Sequence, residues 1–427
     1  MGTAPITAAD LAAARDVVRD RFPPTPLIYS ETFSQRTGAE VFLKLENLQR
    51  TGSFKVRGAL CRLTRDRQSI PAQGVVAASA GNHAQGVALA ASQLGIPSTV
   101  VMPETAPIGK QLATRDYGAR VILHGRTVAE SLEQARRLEE EGYCFVHPFD
   151  DPQVIAGQAT VGSEILEQLA AFEASREQPS CPLPQGEPQD GQTTEIWAPL
   201  GGGGLLTGIA LAVEEVLPGV HLVGVQTAAC PSAAAALRAG KPVTVATEHS
   251  IADGIVVPKM GELPFQILSR RLDETRSVEE SAIALAMVEL LERKKLLAEG
   301  AGATALAALL GAPPERVRGH RIVVVISGGN VDLNVLDRVL EMGLMHKGRI
   351  LRFSVVLDDR PGALSRLLHI LTREKANILH VAHDRLSVDL PLSRTRVALT
   401  AETRGFDHNR ELTAAIQAGG YHLEAPI

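Results

Sequence analysis

Short apolar runs alternate with helical patterns along most of this chain, between positions 41 and 327. The runs predict strands that are buried on both faces: VFLKLE, GVVAASA, STVVMP, ARVILHG, TEIWAPL, HLVGVQ and RIVVVIS. The segments between them, such as HAQGVALAASQLG and LLTGIALAVEEVLPG, have helical periodicity. This alternation predicts an α/β fold with parallel sheets covered by helices. Because ligands bind beyond the carboxyl ends of the strands in such folds, we expect the chemistry in the loops that follow them.

The pattern changes after a short polar joint at 346–349. The segments RILRFSVVL, LSRLLHILTREK, NILHVAHDR, SRTRVALTAET, NRELTAAIQAGG and YHLEAPI read as strand, helix, strand, strand, helix and strand. This βαββαβ order is the ferredoxin-like arrangement. We therefore expect a domain of two α/β subdomains at 1–345 and a smaller domain at 350–427. The proline-rich stretch QPSCPLPQGEPQDGQT at 178–193 is interpreted as a surface insertion.

The composition, with 45% apolar and 21% charged residues, is that of a globular protein. The net charge of −5 and the lack of a Lys/Arg block give no reason to expect a nucleic-acid partner. No apolar run reaches the roughly 18 residues of a membrane span. The start of the chain does not read as a secretory signal. The four cysteines are far apart, which favours reduced thiols and a cytoplasmic location.

Lys55 lies in the segment SFKVRGA, between the strand VFLKLE and a helix. Most lysines are solvated surface charges, and that interpretation stays open for Lys55 taken alone. A lysine held between a buried strand and a helix start can lose solvation, which makes its neutral amine accessible for imine formation.

Two loops have the features of anion sites. The segment SAGNH at 79–83 places small residues at a helix start, where free N–H groups can hold a carboxylate. Its alternative is a simple helix cap. The segment GGGGL at 201–205 lets the backbone wrap closely around an anion. Because it has neither the dinucleotide spacing nor the GK[ST] of a P-loop, it predicts a phosphate without a nucleotide. Its alternative is a flexible linker.

Ser327 follows the buried strand RIVVVI and can offer a neutral hydroxyl, or it can belong to a plain strand–helix turn. Together the four loops supply an amine, a carboxylate site, a phosphate site and a hydroxyl. Pyridoxal phosphate needs such a set: an amine for its aldehyde, an anion site, and a partner for its ring nitrogen.

Six segments carry a family resemblance: SFKVRGA, SAGNHAQG, HPFDDPQVIAGQAT, GGGGLLTGIA, AEGAGA and SGGNVD. In this order they resemble the threonine dehydratase family of fold-type II pyridoxal-phosphate enzymes, over 1–345. The tail resembles an ACT regulatory domain. The resemblance implies elimination of water and ammonia from L-threonine to give 2-oxobutanoate, with L-serine as a second substrate. It also implies a homo-oligomer, either a tetramer or a dimer.

The resemblance also implies residue roles. Lys55 would hold the cofactor as an imine and then act as the base at the substrate Cα. Phe54 and Asn82 would contact the cofactor, Asn82 at the phenolic oxygen, and Ser327 would face the ring nitrogen. The phosphate would be bound by Gly201, Gly202, Gly203, Gly204 and Leu205. The substrate would be bound by the loop of Ser79, Ala80, Gly81, Asn82 and His83.

In the tail, the turn between the first strand and the first helix could bind an effector through free helix N–H groups. The effector would be an amino acid or a nucleotide, and the expected residues are Asp358, Asp359, Arg360, Pro361 and Gly362.

The chain departs from the related serine racemases at two positions. Ala80 stands where racemases carry a serine that acts as acid and base on the opposite face of the substrate. Gln226 stands where they carry an acidic metal ligand. We therefore expect elimination with little racemisation, and no metal site.

Two other functions are weaker interpretations. A β-replacing enzyme such as cysteine synthase would share the fold, but the HPFDDPQVIAGQAT segment and the ACT-like tail argue against it. An amino-acid-sensing protein could keep the catalytic half as a scaffold only. The intact Lys55, glycine loop and Ser327 argue against that interpretation.

Overall fold

The structure is a computed structural model that describes residues 6–176, 193–214, 216–385 and 390–424. The chain divides into two compact units, Met1–Val335 and Leu336–Ile427. The proline-rich stretch interpreted as an insertion lies outside the described residues, apart from Thr193.

The first unit contains two sheets. Its strands are β1 (Leu27–Tyr29), β2 (Glu40–Leu45), β3 (Val75–Ala78), β4 (Ser98–Met102), β5 (Arg120–Leu123), β6 (Cys144–Phe145), β7 (Thr194–Pro199), β8 (His221–Thr227), β9 (Glu274–Val278) and β10 (Arg321–Ile326). The six-stranded sheet has the order β1-β2-β10-β7-β8-β9, and the four-stranded sheet has the order β5-β4-β3-β6. Every neighbouring pair is parallel except β1 and β2. The predicted α/β fold with parallel sheets is therefore confirmed.

Helices connect these strands. They are α1 (Ala8–Arg21), α2 (Glu31–Thr37), α3 (Lys55–Arg65), α4 (Asn82–Leu94), α5 (Ile108–Asp116), α6 (Val128–Glu140), α7 (Pro152–Arg176), α8 (Gly204–Glu214), α9 (Ser232–Ala239), α10 (Glu262–Arg271), α11 (Glu280–Glu289), α12 (Gly300–Leu310) and α13 (Pro314–Val317). Short 3₁₀ turns span Glu46–Leu48 and Asp253–Ile255, and a π-helical turn spans Leu290–Lys294. Within the described ranges, no helix is both long and apolar enough to cross a membrane.

All seven predicted strands of this unit are present, but the burial predicted for one of them is wrong. The run ARVILHG forms β5, in which Arg120 and Leu123 are exposed. The reason is its place at the edge of the four-stranded sheet, where one side has no neighbouring strand. The sequence reading missed β1, β6 and β9, which are short or mostly polar and so lack a continuous apolar run.

A buried ionic network anchors α3, the helix that begins at Lys55. The guanidinium of Arg57 is fully buried and donates to Glu46 on one side (Nε to Oε2, 2.8 Å) and to Glu164 on the other (Nη2 to Oε2, 2.9 Å). Lys44 joins the same network, with its Nζ 2.6 Å from Oε2 of Glu164. Because each charge has an opposite partner, the network can be buried, and it fixes the start of α3 against β2 and α7.

The second unit contains an antiparallel sheet. Its strands are β11 (Ile350–Asp358), β12 (Asn377–Asp384), β13 (Arg394–Glu402) and β14 (Leu423–Glu424), and its helices are α15 (Ala363–Arg373) and α16 (Phe406–Ala418). The sheet order is β12-β13-β11-β14. The predicted βαββαβ order is therefore present. The two units divide between Val335 and Leu336, within a further helix, α14 (Leu333–His346).

Candidate active site

Lys55 is the first residue of α3, in the segment that follows β2. Its Nζ donates to the carbonyl of Pro148 at 2.9 Å. Burial lowers the pKa of the Lys55 ammonium to about 8, although the Glu299 carboxylate acts in the opposite direction. A substantial fraction of this amine is therefore unprotonated in mildly alkaline solution, as a lysine nucleophile requires.

The Lys55 segment and the Ser327 segment are joined because β2 and β10 are parallel neighbours that end at the same edge of the sheet. Ser53 and Gly328 form an isolated antiparallel bridge. The Phe54 N–H donates to the Ser327 carbonyl at 3.2 Å. Ser327 itself is buried. Two of the four predicted loops are thus joined through their backbones.

Asn82 is the first residue of α4, but its side chain does not cap the helix; the N-cap is Gly81, which has no side chain to do so. The Asn82 amide instead has two side-chain partners. Its Nδ2 donates to Oε1 of Glu299 at 2.6 Å, and its Oδ1 accepts from Nδ2 of Asn330 at 2.8 Å. The simple helix-cap interpretation of Asn82 is therefore wrong, and this amide belongs to a polar network.

Two hydrogen bonds fix the rest of the loop at 79–83, one inside the loop and one to the segment after β6. The hydroxyl of Ser79 accepts from the N–H of Gly81 at 3.1 Å. His83 is buried, and its Nε2 lies 2.9 Å from the carbonyl of Val146, to which it donates. Burial lowers the pKa of His83 to about 3, so its ring is neutral. The Ala80 methyl group is half-buried.

The glycine loop at 201–204 connects β7 to α8, and packing excludes side chains there. A Cβ on Gly202 would lie 2.5 Å from the ring of Phe149. Gly203 has a φ of +99°, and its Cβ would lie 2.6 Å from Pro264. The first N–H groups of α8 have no partners within the helix. The loop is therefore a cradle in which only backbone N–H groups can meet an anion. The side chain of Leu205 packs into the core, which leaves only its backbone for such a contact.

The segment at 147–150, which follows β6, contacts both the Lys55 amine and the glycine loop. Its Pro148 carbonyl accepts from Lys55, and its next residue, Phe149, packs against the glycine loop. The segment is braced by His147, whose Nδ1 accepts from the Asp150 N–H at 2.8 Å. In the sequence this segment is recognisable only as a family motif, and no local signal predicts its contacts.

Glu299 is a residue of the site that the sequence reading missed. It is 5% exposed and lies at the N-cap of α12. Burial raises its pKa to about 7, and Asp253 adds to this effect, while Lys110, Lys55 and the Asn82 hydrogen bond oppose it. Its motif, AEGAGA, is part of the family resemblance, but only the folded chain brings the Glu299 carboxylate to Asn82.

These groups fit pyridoxal phosphate. The amine of Lys55, the glycine cradle, the Asn82 amide and Ser327 lie at the carboxyl ends of parallel strands of the first unit. The glycine positions that tolerate no Cβ are the feature that a phosphate requires.

The sequence profile described as "Pyridoxal-phosphate dependent enzyme" matches residues 18–328. The chain therefore belongs to the family of pyridoxal-phosphate-dependent enzymes, and pyridoxal phosphate is its cofactor.

Within that family, the chain is 48% identical to an L-threonine ammonia-lyase of Geobacter sulfurreducens over 412 residues, which cover 96% of this chain and 97% of the relative. It is 42% identical to an L-threonine ammonia-lyase of Thermotoga maritima, over 98% of this chain and 99% of the relative. The structure is similar to a threonine deaminase of Solanum lycopersicum, with a TM-score of 0.70 and 33% identity, over 79% of this chain and 88% of the other. The resemblance to threonine dehydratases is confirmed.

Gln226, where the resemblance would put the racemases' acidic ligand, has protein partners. Its Nε2 donates to the hydroxyl of Ser277 at 3.1 Å, and its Oε1 accepts from the N–H of Ala234 at 3.4 Å. Across the described part of the chain, no group of three or more His, Cys, Asp or Glu side chains is arranged to hold a metal ion.

In the second unit, the turn after β11 borders a cavity of about 450 Å³. All five residues expected at an effector site line it: Asp358, Asp359, Arg360, Pro361 and Gly362. Gly362 has a φ of +85°, which favours glycine at this turn. Arg385 pairs with Asp359 at 3.2 Å, so the cavity contains both signs of charge.

Proposed function

We propose that the protein is an L-threonine ammonia-lyase that forms 2-oxobutanoate and ammonia, with L-serine as a second substrate that gives pyruvate. The observation that carries the proposal is the amine of Lys55, which burial keeps partly unprotonated beside a glycine cradle. Similarity to L-threonine ammonia-lyases over nearly the whole chain supports the choice of substrate.

The bound cofactor supplies an electron sink that acidifies the substrate Cα–H. Lys55 would anchor the cofactor through its aldehyde carbon and, once displaced by the substrate amine, take the Cα proton. The Pro148 carbonyl, 2.9 Å from Nζ, holds the amine, and the neighbouring Phe149 packs against the glycine loop.

The other cofactor contacts are assigned to four elements. The N–H groups at 201–205 would bind the phosphate. Asn82 would donate to the phenolic oxygen, and Phe54 would line the site. Ser327 would face the ring nitrogen, where a neutral hydroxyl leaves that nitrogen largely unprotonated and moderates its electron withdrawal.

The loop at 79–83 would bind the substrate carboxylate. Its N–H groups lie at the start of α4, where the helix dipole favours an anion. The neutral, buried His83 would fix this loop through its hydrogen bond to the Val146 carbonyl. Ala80 cannot carry a proton, so the face opposite Lys55 has no acid from this position, and the reaction would favour elimination over racemisation.

We infer that the second unit is an ACT-like regulatory domain. Its βαββαβ order and the cavity at 358–362 support this inference. The effector would be an amino acid or a nucleotide. In this arrangement 1–345 would be catalytic, 346–349 a linker and 350–427 regulatory. The homo-oligomer and the cytoplasmic location stay predictions.

A steady-state assay tests the proposal. Purified enzyme with pyridoxal phosphate should convert L-threonine to 2-oxobutanoate and L-serine to pyruvate. The assay is repeated with isoleucine, valine and AMP, because a regulatory domain requires that an effector change the kinetics. Formation of a β-substituted amino acid from an added thiol, without oxo acid, would favour a β-replacing enzyme. A colourless protein without turnover would favour a sensor.

A further inference from the structure

The carboxylate of Glu299 occupies a slot that the backbone keeps open for it. The Glu299 N–H donates to the Gly328 carbonyl at 3.1 Å, which joins α12 to the segment after β10. A Cβ on Gly328 would lie 2.3 Å from Oε1 of Glu299. Only glycine at 328 therefore leaves room for this carboxylate.

The partners of Asn82 determine which way its amide faces. Asn330 donates one N–H to the carbonyl of Thr51 at 2.7 Å and another to Oδ1 of Asn82 at 2.8 Å. The Asn82 oxygen is therefore the acceptor of this pair, and its nitrogen must face Glu299, which accepts at 2.6 Å. A primary amide has two N–H groups, so one remains for a ligand.

Glu299 is also the negative charge that acts on Lys55, because its carboxylate raises the pKa of that ammonium. The other charged groups that act on Glu299 are Lys110 and Asp253, which pair with each other at 3.1 Å. Burial holds His83 and His147 neutral, with pKa values of about 3 and 4, so neither supplies a charge above that range.

We propose that Glu299 is a positioning residue of the cofactor site, which orients the Asn82 amide toward the cofactor and retains the proton on Lys55. The inference rests on the proposed function, since it takes Lys55 and Asn82 as the groups that meet pyridoxal phosphate. Nothing in the family resemblance assigned a role to this glutamate.

The test measures cofactor attachment to the apoenzyme rather than turnover. Trp197, the single tryptophan, is buried on β7, the strand that leads to the glycine loop. Quenching of its emission reports binding of pyridoxal phosphate, and the visible absorbance band reports the bond to Lys55. Both are recorded between pH 6 and pH 9 for wild type, Glu299→Gln, Glu299→Ala and the control Glu139→Gln, which alters an exposed ion pair on α6.

Glutamine keeps an acceptor for Asn82 but removes the charge. Glu299→Gln should bind the cofactor within about threefold of wild type, while the pH midpoint of the attachment rate falls by on the order of one unit. The fall follows because loss of the carboxylate lowers the pKa of Lys55, so the amine is free at lower pH. Glu299→Ala removes both effects and should weaken cofactor binding roughly tenfold or more.

A pH midpoint for Glu299→Gln that equals the wild-type and Glu139→Gln values would overturn the inference, whether or not Glu299→Ala folds. Unchanged affinity in a folded Glu299→Ala variant would also overturn it. Failure of the proposed function is a different result: wild type would then show no visible band, or Lys55→Ala would keep it.

Discussion

The strands of the six-stranded sheet have polar clusters at their amino ends and at their carboxyl ends, but the charges in the two clusters are arranged differently. At the amino end, the buried carboxylate of Glu195 accepts from Arg316 (2.6 Å), His320 (2.5 Å) and the indole of Trp197 (2.7 Å). At the carboxyl end, the ammonium of Lys55 has one carbonyl partner and a pKa lowered to about 8. A cavity of about 540 Å³ borders the amino-end cluster, so a cavity lined by charged groups does not by itself identify the candidate active site.

The difference is whether the polar groups satisfy one another. The carboxylate of Glu195 has three donors and lies where paired charges stabilise the fold. Burial acts to raise the pKa of Glu195, but its three donors outweigh burial, so that the pKa is lowered and the charged form is favoured. At Lys55 and Glu299, burial instead shifts the pKa toward the neutral form of each group, as is common at functional sites. We therefore expect substitutions at the carboxyl end to change activity and those at the amino end to change stability.

The largest effect is expected for Lys55→Ala, which removes both the cofactor anchor and the base. Formation of 2-oxobutanoate should fall by several orders of magnitude, and the visible absorbance band should disappear. Both are measured on protein whose folding is checked by circular dichroism. Retention of a tenth of the wild-type activity, without added amine, would show that Lys55 is not the cofactor anchor and base.

A smaller but still large effect is expected for Gly202→Ala, because its Cβ would lie 2.5 Å from the ring of Phe149. Displacement of the cradle should weaken pyridoxal phosphate binding by roughly tenfold or more. Titration of the apoenzyme measures this affinity. The control is Gly219→Ala, which adds a methyl group into open space; equal affinities for the two variants would contradict the role of the cradle.

A substitution at the amino ends of these strands should lower stability and leave activity unchanged. Glu195→Ala leaves Arg316, His320 and Trp197 without their shared acceptor, which should lower the free energy of unfolding by about 2 kcal/mol. The kcat per folded molecule should stay unchanged. Urea unfolding and active-site titration measure the two quantities. A loss of kcat with unchanged stability would mean that the amino-end cluster takes part in the reaction.

In the second unit, Asp359→Ala should raise the concentration of effector needed for half-maximal response, on the order of tenfold. Asp359 lines the cavity beside Arg385 and can pair with an effector ammonium group. Activity without effector should not change. Asp407→Ala, which breaks an exposed ion pair with Arg410, is the matched control. An equal response in both variants would place the effector site elsewhere.

The smallest effect is expected for Ala80→Ser, which supplies a hydroxyl in the loop at 79–83. The variant should convert a slightly larger fraction of L-serine to D-serine than wild type, which should form pyruvate with little D-serine. Chiral chromatography of the serine left at partial conversion measures this fraction. Wild-type D-serine formation as fast as pyruvate formation would show that Ala80 does not limit racemisation.

The sequence predicted the parts of this site that depend on local signals. Lys55 and the glycine loop follow apolar strands and begin helices, so strand periodicity and glycine content were sufficient to find them. The contact of Asn82 with Glu299 joins residues 217 positions apart, and its contact with Asn330 spans 248. Such contacts depend on strand order, which local patterns do not determine.

Burial was likewise predictable only where a strand has two neighbours. The runs that form β3, β4 and β10 are buried along their whole length, as their apolar composition predicts. The equally apolar β5 is an edge strand, and its place in the sheet order decides its exposure.

The most direct test of the account compares Lys55 with Lys44. Burial lowers the pKa of both Lys44 and Lys55, but the Lys44 ammonium is held by Glu164 at 2.6 Å and is therefore committed to the core network. Borohydride reduction of the holoenzyme, proteolysis and peptide mass spectrometry locate the cofactor. The account predicts a pyridoxyl group on Lys55 and an unmodified Lys44. A label on Lys44 or on another lysine, in an enzyme that forms 2-oxobutanoate, would contradict it.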